Sequence, residues 1–307
     1  MHRPVLVREV IGLLGVKAGG VYVDATLGEG GHAEAVLREV GGKAKLLGID
    51  RDAEALARAR ERLSVWGANC EFEHGDYADM IIIAKRHNLD RADAVLMDLG
   101  MSSAQVDSAE RGFSVLREGP LDMRMDRSQQ ITAAAVVNTL DEESLAEILR
   151  KLGEEPAARR IARLIVAERR RKPIQTTTHL VEIVTKAKGG RRGKIHPATQ
   201  TFQALRMAVN HELESLTAGL EGALKLVTTG GRVAVIAFHS LEDRTVKQTF
   251  ARHVGRWESL PAGGQEWVGE QPAMRWVTRK PVTASQEEIE SNPRARSAKL
   301  RVVEKVG

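Results

Sequence analysis

The chain has 307 residues, 42% of them hydrophobic, with 46 Lys and Arg against 41 Asp and Glu for a formal charge of +5. That length and apolar content suit one large domain or two moderate ones and exclude a chain that stays mainly disordered. The single cysteine, Cys70, excludes an intrachain disulfide framework and a thiolate metal cage.

The first hundred residues alternate between two periodicities. "VYVDA" (21–25) reads as a strand, and "HAEAVLREV" (32–40) as a helix. "KLLGID" (45–50) is a strand, and "DAEALARARERL" (52–63) is a helix that Asp52 can cap. "CEFEHGD" (70–76) reads as a strand and turn, and "ADAVLMDLG" (92–100) as a strand with an almost unbroken apolar interior. This rhythm predicts a parallel, doubly wound α/β sheet. It stops near Ser102. "DEESLAEILRKLG", "EEPAARRIARLIVAERRRKP" and "TTHLVEIVTKAKGG" are helical, so an all-helical insertion is expected. One long helix or two begin just past Pro197. "GGRVAVIAFHS" then returns as a buried strand, a loop-rich segment carries Trp257, Trp267 and Trp276, and "AKLRVVEKV" closes the chain as a strand. The expected division is a discontinuous sheet domain, 1–103 plus 205–307, interrupted by a helical domain, 104–204. Open sheets of this kind bind ligands beyond the carboxyl ends of their strands, where an inserted block would cover the pocket.

The turn after the first strand carries Gly28, Gly30 and Gly31 ahead of Ala33. This is one residue out of step with the dinucleotide fingerprint, and on its own it is as compatible with a plain turn as with a ligand site. Asp50 adds to it. It ends the next strand about 20 residues past the first glycine, where a ribose-binding carboxylate belongs. Asp52 takes the capping role and leaves Asp50 for a ligand. Asp24 ends the first strand, "HGDYAD" puts Asp76 and Tyr77 after the third, and Asp98 ends the fourth. Acids around the pocket would repel a pyrophosphate and suit the sulfonium and ammonium of S-adenosylmethionine, so a methyltransferase is favoured over a dehydrogenase.

Taken together, "DATLGEGGH", "DRD" at 50–52, "DLGMSS", "ERGFS", "GPLDMRMD", "HPATQTFQALRMAVN", "FHSLEDR" and "NPRARS" resemble the RsmH (MraW) family, bacterial enzymes that methylate N4 of a cytidine in the decoding region of 16S ribosomal RNA. The matches run in the family's order to residue 297. The resemblance implies a class I, Rossmann-like methyltransferase sheet with a helical insert, and S-adenosylmethionine as cofactor. It implies a cofactor site at Gly30, Gly31, His32, Asp50, Tyr77, Asp98 and Gln105, with Asp50 on the ribose, Tyr77 against the adenine and Asp98 near the methionine end. It also implies 16S rRNA as partner, within the small ribosomal subunit. The Pro-Pro-aromatic tetrad of many amine methyltransferases is replaced here by "DLGM", so which groups receive the N4 proton stays open. Asp98, with the carbonyls of Leu99 and Gly100, is the natural acceptor for the amine hydrogens and the expected catalytic residue.

Phe113 and Phe238 are candidate clamps for a flipped base, Phe238 being the more suited to core packing. Arg111, Arg124, His196 and Arg206 lie in the family-like motifs and are expected at the RNA, as are Lys194, His239, Arg294 and Arg296. Basic residues also cluster at 159–172, 191–194 and 294–299, where phosphate contact is expected. In "HSLED", Ser240 reads as a helix N-cap with Asp243 in the first turn, and no G-x-S-x-G elbow supports a hydrolase. No H-E-x-x-H or Cys/His spacing suggests a catalytic metal. No apolar leader or membrane-length apolar run is present, so a soluble, cytoplasmic protein without membrane contact is expected. The oligomeric state, a homodimer included, is left open. A non-catalytic RNA-binding factor on the same scaffold is the alternative, and the intact glycine turn with Asp50 and Asp98 speaks against it. A DNA methyltransferase is a third reading, disfavoured by the missing tetrad.

Overall fold

The apolar runs at 22–24, 94–97 and 233–237 become strands buried on both faces. Strands β1 (Val21–Asp24), β2 (Lys45–Asp50), β3 (Cys70–His74), β4 (Ala92–Asp98) and β5 (Val227–Ala237) run parallel. β6 (Arg256–Ser259) and β7 (Gln265–Val268) form a separate antiparallel hairpin. β8 (Met274–Trp276) and β9 (Lys299–Lys305) complete the main sheet. A computed structural model describes residues 4–190, 196–259, 265–268 and 273–306. Among these, seven strands form one sheet in the order β3-β2-β1-β4-β5-β9-β8, with β9 antiparallel to both of its neighbours. This is a Rossmann-like methyltransferase arrangement. The interiors of β4 and β5 are almost continuously buried, as parallel strands covered on both faces must be.

Helices α1 (Val7–Leu14), α2 (Gly31–Glu39), α3 (Ala53–Arg62) and α4 (Met80–Arg86) alternate with the first strands. The chain then forms α5 (Ser103–Asp107), α6 (Ala133–Thr139), α7 (Glu142–Gly153), α8 (Ala158–Arg169), α9 (Thr177–Ala187) and α10 (Thr199–Asn210) before it returns through α11 (Glu212–Leu226), α12 (Ser240–Val254) and α13 (Gln286–Ser291). No helix of the described residues is long and apolar enough to cross a membrane.

The chain divides into two compact units, 1–100 with 213–307, and 101–212. The return to the sheet unit therefore falls at 212/213 rather than at 204/205, and the departure at 100/101 rather than at 103/104. The reason is local. α10 is continuous to Asn210 and presents Phe202, Leu205 and Val209 to the core of the helical unit. His211 then takes a left-handed conformation, φ 50°, which separates α10 from α11 without a glycine or proline. The sheet unit has a core on each face. Val95, Met97, Val233 and Val235 pack with Leu220 of α11 and Phe250 of α12 on one side; Leu46, Leu96, Ala234 and Ile236 pack with Leu37 of α2 and Leu14 of α1 on the other. At about 1.5–3 kcal/mol for each large side chain removed from water, these two layers fix the strand ends that carry the functional groups.

Candidate active site

The carboxyl ends of β1, β2 and β4 each finish in an aspartate. β1 leads into the glycine turn. Gly30 is the residue preceding α2, at φ 78°, a conformation that favours glycine, and it offers no side chain to cap the helix. The N–H groups of the first turn of α2 therefore face a ligand position, with the positive end of the helix dipole behind them. Asp50 holds the turn in place. Its Oδ2 accepts the Gly28 N–H at 2.7 Å, and its Oδ1 accepts the Asp52 N–H at 2.8 Å. Each carboxylate oxygen accepts more than one hydrogen bond, so Asp50 supports the turn and still has acceptor capacity for a hydroxyl pair. Asp52 caps α3 as expected, accepting from the N–H groups of Glu54 and Ala55.

Asp24 is buried, accepts from the Tyr22 hydroxyl at 3.0 Å and from the Thr26 N–H at 3.3 Å, and burial pushes its carboxyl up to about 6. Burial, reinforced by the charge of Glu242, pushes Asp98 up to about 7. The Asp98 N–H donates to Thr26 Oγ1, which ties β4 to the turn after β1. Asp98 Oδ1 is buried and has no hydrogen-bond partner among the described residues. A buried acceptor without a donor is a position prepared for one. His32 lies beside it, with Nδ1 3.6 Å from Asp98 Oδ2.

After β3, Asp76 accepts from the Ala78 N–H at 2.9 Å, the Ser215 hydroxyl at 2.8 Å and the Arg51 guanidinium. Burial opposes its charge, but Arg51 and these hydrogen bonds hold its carboxyl below the usual range. Arg51 also lies over the half-buried Tyr77 ring, 5.6 Å from its centroid. The sequence reading of Asp76 as a ligand contact is thus modified: it anchors Arg51, Ser215 and the turn that carries Tyr77.

At the end of β5, the half-buried Phe238 lies close enough to Gly100 that a Cβ there would stand 3.7 Å from its ring. The cap of α12 is His239, not Ser240. His239 is extended, φ −140°, and its Nδ1 accepts the Glu242 N–H, while Glu242 returns to the N–H groups of Phe238 and His239. Ser240 is the first helical residue. Asp243 instead pairs with Arg301 and Lys299 of β9. Glu242 was missed from sequence. The x-x-Glu spacing of a capping box was there, but counted from Ser240 it ends on Asp243.

Gly30, Gly31, His32, Asp50, Tyr77, Asp98 and His239 are thereby gathered on one unit at consecutive strand ends. Arg294 and Arg296 belong to the same unit, exposed on a 3-10 turn after α13. Several residues expected at the RNA or the cofactor are held in the helical unit by other contacts. Arg111 is buried and donates to the carbonyls of Arg124 and Met125. Arg124 is held by both oxygens of Asp122 and by the carbonyls of Arg127 and Gln129. Arg206 is buried in a two-pronged pair with Glu212, both contacts at 2.7 Å. Phe113 is buried in the core of that unit and is no exposed clamp. Gln105 is buried and completes a capping box with Ser102. His196 accepts the Ala198 N–H at 3.2 Å ahead of α10. Lys194, with Arg191 and Arg192, lies outside the described residues. Arg159, Arg160, Arg163, Arg170, Arg171 and Lys172 are exposed at α8 and just beyond it, whereas Arg169 turns to the Val137 carbonyl at 2.7 Å.

Comparison with known proteins identifies the family. The protein named ribosomal RNA small subunit methyltransferase H in Symbiobacterium thermophilum is 48% identical over 307 residues, spanning 99% of this chain and 96% of the relative. The protein of the same name in Geobacter sp. strain M21 is 49% identical over 308 residues, spanning 99% and 98%. Residues 1–306 match the MraW methylase family, and the chain belongs to that family.

Proposed function

We propose that this protein transfers a methyl group from S-adenosylmethionine to the exocyclic N4 amine of a cytidine in the decoding region of 16S ribosomal RNA, acting in the cytoplasm on the small ribosomal subunit. Asp98 carries the reading: a half-buried carboxylate at a strand end, one buried oxygen without a donor among the described residues, next to a glycine turn in a methylase-family chain. The names of the relatives support ribosomal RNA as the substrate class. The acids Asp24, Asp50 and Asp98 at the strand ends fit a cofactor whose reactive end is cationic.

When bound, the cofactor supplies an electrophilic methyl group on a sulfonium leaving group. The chain's work is alignment and amine activation. Gly30, Gly31 and the His32 N–H form the turn against the cofactor; Asp50 takes the ribose hydroxyls, Tyr77 the adenine, and Gln105 the remaining contact suggested by family resemblance. The N4 lone pair is delocalised into the cytosine ring. Asp98 and the carbonyls of Leu99 and Gly100, accepting from the amine hydrogens, draw nitrogen toward a pyramidal geometry in which that pair can attack. The base must leave its stack to get there. Phe238 and His239, at the end of β5, are the aromatic surface offered for it.

The test uses isotope-labelled cofactor and small subunits from a strain lacking this modification, followed by digestion and mass spectrometry of the labelled nucleoside. Label on N4 of one decoding-region cytidine is the expected result. Label on another atom or RNA would replace the substrate assignment. Absence of both label and cofactor binding would leave a non-catalytic RNA-binding factor.

A further inference from the structure

The N-terminal segment ahead of α1 reaches the glycine turn. A Cβ on Gly31 would stand 3.1 Å from Pro4 Cγ, so this turn and that segment are packed together. Val5 and Leu6 are buried. Leu6 holds φ 56°, ψ 34°, a left-handed conformation unfavourable for a residue with a branched side chain. Its N–H donates to Glu288 Oε1 of α13 at 2.7 Å, and its carbonyl accepts the Val10 N–H at 2.8 Å. These bonds fix where the Val5 carbonyl points, and that carbonyl lies 2.8 Å from His32 Nε2. A carbonyl oxygen accepts only, so the proton of the neutral imidazole is on Nε2 and the lone pair is on Nδ1. Nδ1 is the atom 3.6 Å from Asp98 Oδ2, while Asp98 Oδ1 has no partner among the described residues. Two bare acceptors at that spacing do not bond; an acid proton on Oδ2 would join them, closing the distance as catalytic contacts do in the reacting complex.

We propose that His32 is the second member of a proton relay that begins at Asp98, with its tautomer set by the Val5 carbonyl. The relay rests on the amine-methylation reading. The amine lone pair forms the N–C bond as the C–S bond of the sulfonium methyl donor breaks and leaves its pair on sulfur. The N–H bond then breaks, its pair returning to nitrogen, and the proton bonds to Asp98 Oδ1. As it does so, the Oδ2–H bond breaks and that proton bonds to His32 Nδ1. Asp98 ends as it began, and His32 ends as imidazolium, which later loses its proton to solvent. His32 acts through Asp98 and is a positioning residue.

The surroundings suit each state. Burial and the Glu242 charge push Asp98 up to about 7, so an acid proton is present near neutral pH. Burial holds His32 below its usual value, so Nδ1 is bare before the step. The groups facing the pair are Tyr22 and Asp24 from β1, Glu242 from α12 and Glu288 from α13. Asp24 and Glu288 favour a positive His32 and stabilise the imidazolium once formed. The driving force comes from the product: a cytosine amine that has gained a methyl group and kept both hydrogens is a strong acid.

Nitrogen-15 NMR of the histidine side chains in the purified full chain, with no cofactor or RNA, tests the tautomer. His32→Gln identifies the resonance. The expected signal at pH 7 is a neutral ring protonated at Nε2, whose titration shifts in Asp98→Asn. A neutral ring protonated at Nδ1 overturns the proposal. Single-turnover methyl transfer at saturating cofactor tests the role. His32→Gln should fall about a hundredfold, and the wild-type rate should fall with decreasing pH through the His32 titration seen by NMR. An unchanged rate and pH profile in His32→Gln overturns the relay alone. A wild-type protein that methylates no RNA amine overturns the parent reading and the relay with it.

Discussion

The motif arginines of the helical unit and Asp98 of the sheet unit are held to opposite effect. In the helical unit the motif arginines are fully engaged by their own neighbourhood: Arg206 by Glu212, Arg111 by two carbonyls, Arg124 by Asp122 and two carbonyls. In the sheet unit, half-buried Asp98 has one buried oxygen without a donor among the described residues, and its carboxyl is pushed up to about 7. Burial with complete pairing stabilises a fold. Burial with incomplete pairing costs stability and is retained where chemistry needs it. The contrast separates residues that share a motif into those that hold the backbone and those that meet a ligand.

The largest expected effect follows from Asp98. Asp98→Asn should reduce methyl transfer by about 10²–10⁴-fold, the range of a lost general base. Its effect on stability should have the opposite sign. The folded carboxyl titrates at about 7 against an ordinary value of 3.8, so its contribution to stability is fully present below about 4 and is lost as pH rises through 7. The variant's melting temperature should therefore gain on wild type between pH 5 and pH 8. A variant less stable than wild type at pH 8 would show that Asp98 is a structural acid and would remove the contrast between the units.

Arg206 tests the other side. Arg206→Ala leaves Glu212 buried and unpaired, which should destabilise the helical unit by about 3–5 kcal/mol. Replacing both by apolar residues of similar volume should recover most of that loss. If Arg206→Ala keeps its stability and loses RNA affinity instead, Arg206 is an RNA contact and the sorting by burial is wrong. Thermal unfolding and RNA binding, measured on the same samples, distinguish the two.

How far the sequence alone leads follows the same division. The strand ends were legible because nearly continuous apolar runs stop at Asp24, Asp50 and Asp98, and parallel sheets bind ligands there. The arginines were not. A guanidinium that holds a carbonyl and one that holds a phosphate look identical in a motif, and only tertiary neighbours tell them apart. Phe113 failed for the same reason. The cap of α12 was misplaced by one residue because Ser is the commoner capping residue, yet His239 Nδ1 accepts the Glu242 N–H. The break at His211 carries no glycine or proline, so the boundary between the units could not be read from turn chemistry. The β6–β7 hairpin read as loop, its two strands being only four residues each.

Asp50 gives a smaller effect than either. Asp50→Asn retains one good acceptor where the carboxylate serves the N–H groups of Gly28 and Asp52. The glycine turn should loosen, and cofactor affinity should fall about tenfold, the order of one hydrogen bond to a charged group. Calorimetric titration of the cofactor measures this. Affinity equal to wild type would mean that the turn holds its shape without Asp50.

The exposed cations of α8 should touch neither the chemistry nor the fold. Arg159, Arg160 and Arg163 are all exposed on the helical unit, and the nearest acid to Arg163, Glu142, is at 3.9 Å. An exposed pair at that distance contributes little. Changing all three to alanine should leave melting and cofactor affinity close to wild type. RNA affinity should weaken across sequences alike, because cations on phosphates position a nucleic acid without reading it. The slope of log affinity against log salt should also become shallower by about one for each phosphate no longer neutralised. An unchanged slope would mean that these three side chains face water, and would leave the RNA to other exposed cations, among them Arg170, Arg171 and Lys172 just beyond α8 and Arg294 and Arg296 of the sheet unit.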